Sequence, residues 1–69
     1  MSAMRRVLRL RQTGRFVKGV GEDTTHFYNG QLFAGFSDAL IFCVDQELEG
    51  VELVLLDQDG EEQVCIRIT

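Results

Sequence analysis

Two runs rich in apolar residues, 51–56 and 61–68, flank an Asp59-Gly60 pair, and no other feature restricts the fold so tightly. Asp-Gly favours the two-residue hairpin turn, because both central positions of that turn need positive φ. With Asp59 and Gly60 as the turn, Gln58 faces Glu61. Leu55 then lies opposite Val64, Leu53 opposite Ile66 and Val51 opposite Ile68, all on one side. On the other side Glu52 falls opposite Arg67, an opposite-charge pair worth roughly 0.2–1 kcal/mol. A slip of one residue would scatter these matches over both faces. The pattern predicts an antiparallel C-terminal hairpin.

Upstream, Met4 to Gln12 alternates in the same way. Leu8 and Leu10 point to one side, and Arg5, Val7, Arg9 and Arg11 to the other, as in a half-buried strand. Arg15 to Val20 reads as a second strand returning after Thr13-Gly14. Thr24–Tyr28 and Gln31–Ala34 flank Asn29-Gly30 as a further hairpin. Ser37 to Gly50 admits two readings. As a helix it has Ser37 for an N-cap, Gly50 for a stop and Leu40, Ile41, Val44 and Leu48 on one stripe. Phe42 falls off that stripe, and Glu47 and Glu49 crowd the negative end of the helix dipole. As a strand, Ala39–Val44 is a short run of branched and aromatic residues bounded by aspartates, and this reading is preferred. The expected fold is mainly β, a small antiparallel sheet or barrel of hairpins. The alternative is α+β, with one helix at about 38–48 packed on an antiparallel sheet.

A chain of 69 residues forms one domain, 1–69, and buries only about 60% of the surface its unfolded form exposes. Its two cysteines, Cys43 and Cys65, are not the dense framework of a disulfide-stapled mini-protein. The opening MSAMRR has no signal-peptide apolar stretch, and the longest apolar run, Ala39–Val44, is too short to cross a membrane. These features lead to the expectation of a cytoplasmic protein with reduced thiols and no membrane association. Residues 1–20 carry six basic side chains and no acid, whereas 21–69 carry eleven acids and one base, for a net charge of −4. Such asymmetry either marks a basic binding face or lets the basic strand fold against the acidic half and neutralise it. The second explanation is favoured, since a nucleic-acid footprint normally accompanies a basic domain.

No chemical constellation emerges. His26, the lone histidine, could serve a Cys-His pair only if the fold brought it to Cys43 or Cys65, and both look buried. The three together supply at most three soft metal ligands, without C-x-x-C or H-x-x-x-H spacing, so neither metal nor cofactor is expected. Asp57, Asp59, Glu61 and Glu62 lack the order of a calcium loop. Gly19-Val20-Gly21 lacks the strand–helix context of a phosphate loop. If 39–44 is a strand, Cys43 and Cys65 lie on strands separated by 51–56, too far apart to bridge, whereas the helical reading leaves a disulfide open.

The function expected is therefore non-catalytic: a small regulatory domain that docks on a protein partner. In the strand reading Ile41, Val54 and Leu56 share a face that the N-terminal half leaves bare, and that apolar face is the expected docking surface. Burying it between two copies would give a homodimer. One alternative is a nucleic-acid-binding barrel using Arg5, Arg9, Arg11, Arg15 and Lys18 beside Phe16, Phe27, Tyr28, Phe33 and Phe36. Another is an acidic domain that mimics a nucleic acid and occupies a basic site on a host or defence protein.

Overall fold

In the computed structural model, residues 4–69 are described. Five strands form an antiparallel sheet: β1 Arg5–Leu10, β2 Phe16–Gly19, β3 Glu22–Thr24, β4 Val51–Leu56 and β5 Glu62–Arg67. Their spatial order is β3-β2-β1-β4-β5. The protein is mainly β, and the sheet stays open instead of closing into a barrel. One helix, α1 Phe36–Asp45, covers one face, and a short 3-10 turn at Phe27–Asn29 lies toward the other.

The segment 39–44 is helical, which overturns the strand reading and bears out the alternative. The inward side of α1 is built from small residues. Ala39 and Cys43 are fully buried against Leu8, Val17, Val51 and Leu53, so the helix axis approaches the sheet closely. Phe42 adds an edge-to-face contact with Phe33 at 5.4 Å. The boundaries also differ from expectation: Gly35, not Ser37, is the N-cap. At the other end Glu47 N–H donates to Val44 C=O (3.2 Å) and Leu48 N–H to Cys43 C=O (2.9 Å). That bond pair is a Schellman motif, with Glu47 at φ 53° in the position that usually takes glycine.

The opposite face is also covered. Val7, Val54 and Leu56 are buried beneath Phe16 and Phe27. The chain reaches this arrangement by wrapping from the Phe27 side round to Phe33 on the helix side, so the hairpin expected at Asn29-Gly30 does not form. Gly30 has φ −66°, and a Cβ there would stand 3.3 Å from Val7 Cγ1 and 3.5 Å from Phe16 Cβ. Close packing, not a turn, requires glycine at this position.

The C-terminal hairpin has the expected register from Glu52↔Arg67 through Leu55↔Val64. Its tip differs. Gly60 N–H donates to Asp57 C=O and Asp57 N–H to Glu61 C=O, both at 3.0 Å, with Gly60 at φ 84°. The loop thus has three residues, ending in a left-handed glycine. The extra loop residue shifts the pairing to Leu56↔Glu62, and a bulge at Gln63 in β5 restores it.

Candidate functional site

The cationic side chains of the N-terminal half are largely engaged within the chain. Arg9 Nε donates to Glu52 Oε2 (2.5 Å) and its Nη2 to Glu62 Oε1 (2.6 Å), joining β1 to β4 and β5. Partial burial works against the Arg9 charge, but the hydrogen bonds it donates to these two carboxylates, together with their negative charge, outweigh it and hold its pKa above the ordinary value. Arg15 Nε donates to Asp23 Oδ1 (2.6 Å). Arg6 Nη1 donates to the carbonyls of Phe33 (3.1 Å) and Ala34 (2.8 Å), Arg5 Nη1 to that of Tyr28 (3.4 Å) and Arg11 Nη1 to that of Val51 (3.1 Å). Arg5 and Arg6 therefore fasten the segment that wraps from one face to the other. Of the five cations considered for nucleic acid, Lys18 is exposed and makes no such bond among the described residues.

His26 stacks on Tyr28 with ring centroids 5.2 Å apart and is not placed beside a thiol by any contact. Cys43 is buried on the helix side of the sheet, and Cys65 is exposed on the other, so they remain free. Burial pushes the Cys43 thiol up. Desolvation and then the Glu52 carboxylate push Cys65 up as well, the reverse of nucleophile activation. The Asp57 carboxylate is taken up by the hairpin tip, accepting from the N–H groups of Asp59 and Glu61 at 2.9 Å and from Gln63 Nε2 at 3.2 Å. Among the described residues no group of three His, Cys, Asp or Glu side chains is placed to hold a metal ion. Gly19-Val20-Gly21 is simply the β2–β3 turn, with Gly21 at φ 70°. No described helix is long and apolar enough to cross a membrane.

The surface anomaly lies on α1. Of the stripe visible in the sequence, Leu40, Ile41 and Val44 point away from the sheet and are 37%, 58% and 65% exposed, whereas Leu48 lies beyond the helix and packs on the core. Phe36 extends the row at the helix start. From Phe36 to Gly50 the chain carries Asp38, Asp45, Glu47 and Glu49, all exposed, and no basic residue. Beside the helix a groove of about 250 Å³ runs between Phe36 and Arg6 and the β4–β5 residues Leu53, Leu55, Val64 and Ile66. Of the three residues expected on the docking face, Ile41 belongs to this outward stripe. Val54 and Leu56 do not, since they are 0% and 2% exposed under Phe16 and Phe27. The helical stripe was readable in the sequence; that it faces solvent was not, because nothing local shows that Ala39 and Cys43 are the inward residues.

Compared with family models, with curated proteins and with solved structures, the chain matches none of them.

Proposed function

We propose that this chain is a non-catalytic regulatory domain that docks on a protein partner through the outward stripe of α1. One observation carries the reading: α1 turns Leu40, Ile41 and Val44 to solvent while burying Ala39 and Cys43. Contiguous exposed apolar residues rimmed by polar ones characterise association surfaces. The charged residues of the helix and the loop after it, Asp38, Asp45, Glu47 and Glu49, are all acidic, so the partner surface is apolar at its centre and basic where it meets them. The same charge argues against two copies meeting through α1, since that contact would set acids against acids.

The reading is tested by reconstituting the domain with a purified partner recovered from its own cells, and mapping the contact by amide chemical-shift changes. The changes are expected to centre on Leu40, Ile41 and Val44. Ile41→Lys, exposed and therefore still folded, is expected to weaken the complex by about 30-fold or more, the loss of a hot-spot side chain. A contact that maps elsewhere, or one indifferent to Ile41→Lys, rejects the proposal.

A further inference from the structure

The sheet has two edges of very different character. β3 is three residues long and carries Glu22 and Asp23, a short charged edge that resists pairing. β5 is six residues long, exposed along its whole length, and includes Val64 and Ile66. Its backbone polarity can be read from the ladder. Ile68 N–H donates to Val51 C=O at 3.0 Å, so by alternation the even positions face β4. The N–H and C=O groups of Cys65 and Arg67 therefore point outward from the edge.

We infer that β5 pairs with β5 of a second copy of this chain about a two-fold axis, extending the sheet across two subunits. This inference is independent of the docking proposal, which concerns the side chains of α1 and not the backbone of β5. The bulge at Gln63 fixes the register. Beyond it the pairing is regular from Val64 to Arg67, and the Ile68 N–H bond to Val51 C=O carries it one residue past the strand end, so the stretch centres on Ile66. With the axis at Ile66, Val64 lies opposite the partner's Ile68 and Ile66 opposite the partner's Ile66, all on the helix-side face. On the other face Cys65 lies opposite the partner's Arg67, and these pairs exchange the outward backbone bonds. Opposed side chains of an antiparallel pair share a face, and this register meets that condition at every position. Arg67, the one charged residue of the stretch, is set opposite Cys65 and not opposite its own copy. The strand is thus self-complementary, as a two-fold interface requires.

Sedimentation equilibrium is expected to give twice the chain mass of 7.8 kDa for the wild type, and hydrogen exchange supplies the register. The amides of Cys65 and Arg67 are expected to exchange more slowly as concentration rises, while those of Ile66 and Ile68 are protected at every concentration. Ile66→Lys puts two like charges at the axis and is expected to return the mass to that of the monomer. Cys65→Pro removes an outward N–H that β4 does not use, and is expected to do the same. Ile41→Lys is expected to remain dimeric, which separates this interface from the α1 surface. A wild type that stays monomeric at millimolar concentration overturns the inference. So does a dimer in which the Cys65 and Arg67 amides exchange freely, or one that survives Ile66→Lys in a folded state.

Discussion

Glu47 holds φ 53° at the end of α1, the one non-glycine residue with positive φ among those described. A side chain in that conformation costs about 1–2 kcal/mol, and glycine escapes the cost but loses some of the gain to its freer unfolded chain. Glu47→Gly is therefore expected to stabilise the domain by about 1 kcal/mol in urea titrations, with an unchanged m-value. Gly60 presents the reverse case. It sits at φ 84°, and a Cβ there would fall 2.5 Å from Cε1 of Phe27, well inside contact distance. Gly60→Ala combines left-handed strain with overpacking and is expected to cost about 2–3 kcal/mol in the same titration. Combining it with Phe27→Leu, which withdraws the ring, is expected to recover part of that loss.

Phe27 also links elements, because it closes the face of the sheet opposite α1. Phe27→Ala would uncover Val7, Val54 and Leu56. The ring is only half-buried, so the expected cost is about 2–3 kcal/mol, below the ~3–5 of a fully buried phenylalanine. Amide exchange at the hairpin tip, where the ring rests on Gly60, should accelerate with it. The strands of this sheet were legible because period-two alternation reports burial directly. Glu52 opposite Arg67 and Leu53 opposite Ile66 follow from counting alone. The tip was not, since Asp59-Gly60 marks a left-handed glycine without saying whether the loop has two residues or three. Asn29-Gly30 misled for a related reason: Gly30 is needed for its missing Cβ against Val7 and Phe16, not for positive φ. The helix misled most. Its strongest apolar stripe, Leu40, Ile41 and Val44, is the side that faces water, and its buried side is the unobtrusive Ala39 and Cys43. A sequence pattern shows where apolar residues line up; it does not show which of them the rest of the chain will cover.

Charge that is segregated along the chain becomes mixed when the molecule folds. Arg9 meets Glu52 and Glu62, and Arg15 meets Asp23, so two of the six N-terminal cations are paired with carboxylates of the acidic half. An exposed pair such as Arg15–Asp23 adds little stability, typically about 0–1 kcal/mol, and its larger effect here is on the surface potential. With a net charge of −4 and these cations occupied, labelled single- and double-stranded oligonucleotides are expected not to bind even at about 50 mM salt, where phosphate contacts are strong. Binding that weakens steeply with added salt would restore a nucleic-acid role for Arg5, Arg11 and Lys18. What the molecule keeps outside is its apolar helix stripe, and that choice is open to a direct measurement by thermal unfolding of two lysine variants side by side. Ile41→Lys falls on a residue 58% exposed and is expected to melt cooperatively within about 0.5 kcal/mol of the wild type. Val54→Lys places a charge at a residue 0% exposed and is expected to abolish cooperative unfolding. Loss of the transition in Ile41→Lys, with retention in Val54→Lys, would mean that the α1 stripe is core and that the open surface lies on the other face of the sheet.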